Sequence, residues 1–294
     1  IKGANLLKPI YEQIKFSLLN ETLLHADETV LEVLHEPGKE AGSKSYVWVY
    51  RTSKYNTHPA VLYEYTLGRS GDYAKKFLED WKGTYLHCDG YTGYKKLMDK
   101  TLCGCLVHAK RKFYEAYEVN RSNEYAKQGE TYLRKLFRLE DKADESGLTL
   151  EKRLEMRKTN SKQVLDEFYS WISQIESKIL PKSLMGKAIT YAINQKEYLE
   201  NFLKDARIQL SNNLAEQSVK PFVIGRSNWL FANTPNGANA STLIYSIIQS
   251  AILNNLIPQK YLTFVFDTIQ SGGDASLLVP WSDEIPESCK NKKS

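Results

Sequence analysis

The sequence predicts an α/β protein, a mixed five-stranded sheet flanked by helices, with a long helical stretch interrupting it. Three observations carry that prediction. Runs rich in β-branched and aromatic residues crowd the first third of the chain. The middle turns to Glu, Lys, Leu and Arg at helical spacing. The last third holds apolar helices broken by Asn, Pro and Gly.

Element by element, "ETLLHADET" (21–29) is an apolar run with turn-forming flanks and reads as a strand. "SYVWVYRT" (45–52) and "AVLYEYT" (60–66) alternate like strands, and the short link "SKYNTHP" predicts that they pair as an antiparallel hairpin. "SGDYAKKFLEDW" (70–81) opens with a polar cap and sets Phe77, Leu78 and Trp81 at helical spacing. "GTYLHCD" (83–89) is the next strand, "GYTGYKKLMDK" a turn and helix, and "TLCGCLVH" (101–108) the fifth strand. From "AKRKFYEAYE" (109–118) to about Lys187 the pattern is helical, with Tyr132, Leu133, Leu136 and Phe137, then Val164, Leu165, Phe168, Trp171, Ile172 and Ile175, on apolar faces. Pro181 breaks it, and a further helix runs to about Ala206. Ser211, Asn212 and Asn213 favour a helix cap, and "NLAEQSVK" continues as helix until Pro221. "GANASTLIYSIIQSAILNN" (237–255) and "PQKYLTFVFDTIQ" (258–270) are two more helices, and the tail is loop-like. The expected organisation is a core of 1–118 and 188–270, a helical insertion over 119–187 and a tail over 271–294.

Composition narrows the class. Hydrophobic content of 42% and charged content of 26% are ordinary for a soluble globular protein. No apolar run is long enough to span a membrane. The start lacks the order of a secretory signal and an initiator Met, so the expectation is a cytoplasmic fragment whose amino-terminal part is missing. Cys88, Cys103, Cys105 and Cys289 are too few and too uneven for a disulfide framework and read as reduced thiols. Cys103, Cys105 and His108 in "CGCLVH" lack a fourth ligand at zinc spacing. A net charge of +5 and a pI near 8.8 suit a polyanionic partner without demanding one.

The chemistry-bearing pattern is a repeated approach to an aspartate. "LHADET" (24–29) and "LHCD" (86–89) each lead through leucine, histidine and a small residue into Asp27 or Asp89. Each aspartate is expected to close its strand at the sheet's ligand-binding end, side by side if the strands are neighbours. Two carboxylates about 4 Å apart repel by on the order of 4 kcal/mol at a protein surface. Either one takes a proton or a divalent cation sits between them, and hard oxygen donors favour Mg²⁺ or Mn²⁺. The plain alternative is that each aspartate is a turn-maker. Glu216, just after a polar cap, is the candidate third acid, and otherwise a solvated helix-face glutamate.

The blocks "LHADET", "GTYLHCDGYTGY", "GCLVHAKRKFYEA", "NNLAEQSVKPFVIGRSNWLF" and "STLIYSIIQSAILNNLIPQKYL" resemble, in that order, the insertion-sequence-66 type of DDE transposase. The likeness runs from about Leu23 to "LLVPW" (277–281). It implies an RNase H-like core in which Asp27, Asp89 and Glu216 are the catalytic and metal-binding triad, with the helical insertion between the second and third acids. Where the family usually carries an aspartate before the paired asparagines, this chain has Ser211, which leaves the triad intact. The family's amino-terminal portion, which would recognise DNA ends, is expected to lie outside this sequence.

What the resemblance implies is hydrolysis of phosphodiesters at transposon ends and strand transfer into target DNA, with two Mg²⁺ or Mn²⁺ ions. DNA is the expected partner, and pairing of two ends suits a homodimer. Arg226, placed in a loop, and Lys110, Arg111 and Lys112, placed at the opening of a helix, are candidate phosphate contacts. The three clustered residues read equally well as a solvated basic turn. His108 and Asn213 are secondary candidates beside the acids, a core histidine and a cap residue being the plainer readings. Trp229 reads as core more readily than as a base-stacking platform, and Tyr91 and Tyr94 as packing after Asp89. The rival functions are an RNase H-like nuclease that cuts without joining, and a catalytically silent DNA-binding remnant.

Overall fold

Leu7, Ile10, Ile14 and Leu18 fall on one side of a helix, and this buried stripe builds α1 (Lys2–Leu19). Sequence reasoning passed over it, because Gly3 and the internal Pro9 disguise the stripe. The structure, a computed structural model, describes residues 1–40 and 42–291. Next come β1 (Leu23–Glu32), β2 (Lys44–Thr52) and β3 (Val61–Thr66), joined as antiparallel neighbours with Asp27 opposite Val49 and Val49 opposite Tyr63. The expected hairpin is therefore present. Asp27, however, lies in the middle of a ten-residue strand rather than at its end, because Thr29–Glu32 go on pairing with β2.

The following elements are shorter than expected. α2 (Gly71–Phe77) begins where the Ser70 hydroxyl accepts from the Asp72 amide, and it stops four residues before Trp81. There the bonds tighten to i−3, with Trp81 N donating to Leu78 O, and the indole Nε1 donates to Glu21 O at 2.7 Å. β4 (Tyr85–His87) is followed by a 3₁₀ turn at Thr92–Lys96 in place of the expected helix. β5 is only Thr101–Cys103, and α3 (Leu106–Val119) starts at once, so His108 sits on a helix and not on a fifth strand as expected. Cys105 is extended, and the Leu106 amide donates to Leu210 O rather than to a strand. The five strands form one mixed sheet in the order β3-β2-β1-β4-β5.

The helical middle comprises α4 (Glu124–Glu145), α5 (Leu150–Met156), α6 (Lys162–Ile175), α7 (Leu184–Asn194) and α8 (Lys196–Glu200), with one π turn at Arg157–Ser161. Then α9 (Asn213–Trp229) runs straight through Pro221, against the expectation that it would end there. A proline removes one helical hydrogen bond, but Val219 and Phe222 beside it are buried, and that burial holds the helix. α10 (Pro235–Leu253), capped by Thr234, and α11 (Pro258–Gln270) complete the regular structure. The tail is irregular but anchored: Tyr261 donates to Leu278 O at 2.5 Å and Ile257 N to Cys289 O at 2.7 Å. Its last three residues lie outside the described ones.

Two compact units account for the chain: Ile1–Thr84, Thr92–Lys100 and Asn213–Ser294 form the first, Tyr85–Tyr91 and Thr101–Asn212 the second. In the first, one face of β1–β3 presents Leu31, Val33, Val47, Val49, Val61 and Tyr63 to Val219 and Phe222 of α9 and Ala238 of α10. The edge of β3 is closed by α10: Ser250 and Ser246 hydroxyls accept from the amides of Val61 (3.1 Å) and Tyr63 (2.9 Å). The opposite face stacks Tyr50 on Phe77 at 3.9 Å and sets Trp48 edge-on to Tyr94 at 5.5 Å. In the second unit Phe113, Phe168 and Trp171 form an aromatic core, with Gly129 against Phe113, where a Cβ would come within 2.3 Å of the ring. Arg157, in the π turn, pairs with Glu140 at 2.7 Å and donates to the carbonyls of Phe202, Asp205 and Ile208. Among the described residues no helix is long and apolar enough to cross a membrane.

Candidate active site

In an antiparallel pair, residues directly opposite share a face. His25, Asp27, Thr29 and Leu31 of β1 therefore share theirs with Arg51, Val49, Val47 and Ser45 of β2. Val47, Val49 and Leu31 pack against Val219 and Phe222, so this is the face that α9 covers.

Two arginines fix how α9 lies. Arg51 Nη1 donates to Leu214 O and to Ser218 Oγ, both at 3.0 Å, which pins the start of the helix over the His25 row. Arg226 Nη1 donates to Thr29 Oγ1 at 3.1 Å and to the Val30 carbonyl, which pins the other end further along β1. Asp27 lies between those two anchor points. Glu216 lies between Leu214 and Ser218, in the first turn of α9, where unpaired amide dipoles favour a carboxylate. Both acids are half-buried, and Asp27 Oδ1 accepts from the Glu28 amide at 2.8 Å. The helix that carries Glu216 thus covers the face of β1 that carries Asp27. The neighbouring Glu28 points to the other face, bonded to Tyr94 and Arg69 at 2.7 Å each.

Asp89 belongs to the second unit, two residues beyond β4. The Cys88 amide still donates to Cys103 O, extending the parallel ladder by one step before the chain turns. Asp89 Oδ1 accepts from the Tyr91 amide at 2.8 Å, an Asx-type turn. Gly90 follows because a Cβ there would come within 3.2 Å of the Tyr191 ring. Burial pushes the Tyr191 hydroxyl up, with smaller contributions from Cys105 and Asp89. His87, whose Nε2 lies 2.8 Å from Gln209 O, is fully buried, and that burial pushes it down to about 4, so it is neutral at physiological pH.

Lys110 and Lys112 lie within α3 rather than opening it, and they diverge, their Nζ atoms each 5.0 Å from a ring centre, of Phe137 and Tyr191 respectively. Arg111 between them is exposed. Arg226 sits on a helix and not in a loop, because α9 continues to Trp229. Asn213 is exposed at the start of α9, and His108 is half-buried on α3. Trp229 is edge-on to Phe222 at 5.4 Å, as a core residue would be. Sequence reasoning missed Arg51 and Ser218. The available signal was a lone cation closing the apolar run "YVWVYR", in phase with Val47 and Val49.

Residues 1–240 match the family model described as the Transposase IS66 family. The chain belongs to the IS66 transposase family. Three proteins of Sinorhizobium fredii (strain NBRC 101917 / NGR234) are similar to it. Uncharacterized protein y4qI is 30% identical over 87% of this chain and 50% of its own length. Uncharacterized protein y4hP is 26% identical over 94% and 53%, and uncharacterized protein y4jD 29% identical over 94% and 56%. This IS66-family chain therefore spans about half the length of the curated relatives it matches. No solved structure matches it.

Proposed function

We propose that this IS66-family chain is the catalytic part of a DDE transposase, with Asp27, Asp89 and Glu216 as its acidic triad on an RNase H-like core. The observation that supports the reading is the lie of α9, the helix that carries Glu216, along the face of β1 that carries Asp27. In this reading 1–118 and 188–270 form the core, 119–187 is the insertion that separates the second and third acids, and 271–294 is an appended tail.

A donor set of carboxylates suits a hard divalent cation. Asp27, Asp89 and Glu216 would hold two Mg²⁺ or Mn²⁺ ions, which when bound supply Lewis acidity to the attacking and leaving oxygens of a phosphodiester. The chain's own share is positioning. β1 fixes Asp27 by pairing on into Thr29–Glu32, the Tyr91 amide holds Asp89, and the two arginine anchors fix α9. Arg111, exposed on α3, and the remaining nitrogens of Arg226 are the side chains offered to phosphates. Water then cleaves a phosphodiester and frees a 3′-hydroxyl at the transposon end. That hydroxyl attacks a target phosphodiester, and a target 3′-oxygen leaves. Transposon-end and target DNA are the partners, and a homodimer would hold two ends together.

The test uses duplexes carrying the ends of the element that encodes the chain, with Mn²⁺ and the native protein, Asp27→Asn, Asp89→Asn and Glu216→Gln. Each substitution is expected to lower cutting and joining about 100-fold or more. Cutting without joined products would favour the nuclease reading. Binding of DNA that ignores all three acids, with no cutting, would favour the silent remnant.

A further inference from the structure

Arg51 is a cation held against the first turns of α9, where the helix dipole is positive and a cation is unfavourable. It is also half-buried, and burial lowers its pKa from the usual arginine range. Such a placement costs stability unless the geometry it enforces offsets the cost. That geometry is specific. Nη1 bridges Leu214 O and Ser218 Oγ, the Ser218 hydroxyl donates to the same Leu214 carbonyl at 3.0 Å, and Tyr63 donates to Ser218 O at 2.5 Å. Two strands thereby grip the turn of helix that contains Glu216, from the residue two before it to the residue two after.

We propose that Arg51, with Ser218, is a positioning residue that sets the rotation of the first turn of α9 and so the direction in which the Glu216 carboxylate is presented. This rests on the reading of Asp27 and Glu216 as metal ligands. The role has a sign that charge alone does not share. Removing a nearby cation, by electrostatics alone, tightens divalent-cation binding. Removing the grip releases Glu216 and weakens it.

Mn²⁺ titration calorimetry on the full chain separates the two, with native protein, Asp27→Asn, Arg51→Met, Ser218→Ala and the double variant, and circular dichroism confirming that each is folded. Groups that orient metal ligands typically carry about 10- to 100-fold in affinity, so Arg51→Met is expected to bind Mn²⁺ about tenfold more weakly. Ser218→Ala, which keeps the cation and removes one acceptor, is expected to weaken binding less, and the double variant to be no worse than Arg51→Met. Native protein that binds Mn²⁺ no better than Asp27→Asn would overturn the metal reading and this proposal with it. Acid-dependent binding that Arg51→Met and Ser218→Ala leave unchanged or tighten would overturn this proposal alone.

Discussion

Glu64 shows how one side chain is made to respond to pH. It lines a cavity of about 430 Å³ with Lys8, Tyr11, Glu12 and Tyr63, and burial pushes its carboxyl up to about 7. The charge of Lys15, the hydrogen bond from Tyr50 and the charge of Lys76 pull the other way without cancelling that rise. In the unfolded chain a glutamate titrates near 4.3, so between about 4.3 and 7 the folded protein holds a proton that the unfolded chain has lost. The stability this contributes is complete below the unfolded value and is lost as pH rises through about 7. Glu64→Gln, which imitates the protonated form, is expected to melt with the native protein below about pH 4 and increasingly above it as pH rises to about 8. A melting difference that stays constant across that range would show that Glu64 is ionised throughout.

At the scale of elements, a tight joint of the first unit is that between α2 and the 3₁₀ turn at Thr92–Lys96. A Cβ on Gly71 would lie 1.9 Å from the carbonyl oxygen of Gly93, and backbone cannot step aside as a side chain can. Gly71→Ala is expected to cost about 1–3 kcal/mol in unfolding free energy, measured by denaturant titration; a neutral result would mean the turn is free to shift. Neither side of this joint was legible beforehand, because close approach of two backbones leaves no mark but the glycines themselves. β2 and β3 were legible, since alternation over a half-buried sheet is written in the residues. So was α10, from its run of small residues, although its start at Pro235 behind the Thr234 cap was not. α1 was hidden by Pro9, the early start of α3 by the β-rich run before it, and the passage of α9 through Pro221 by packing that no local propensity records. The acids were legible as residue types. The long continuation of β1 past Asp27 was not, because strand pairing with a distant segment decides it.

For the whole molecule, charge is the property that reaches furthest. The net charge is +5, and Lys110 and Lys112 rest over rings while Arg111 stays open. Phosphate contacts made by such a chain release counterions, so affinity for a random duplex is expected to fall at least about tenfold between about 50 and 200 mM salt. Fluorescence anisotropy would measure it, and a flat profile would count against phosphate binding.

The first unit is also written in three separated stretches, with more than a hundred residues of the second unit between Lys100 and Asn213. A ribosome therefore releases the hairpin of β2 and β3 long before α9 and α10. Leu31, Val47 and Val49 stay wetted until at least Leu253 has been made. That valine-rich surface is open to non-native contacts during the wait, so synthesis, more than the finished fold, is the stage at which misassembly threatens it.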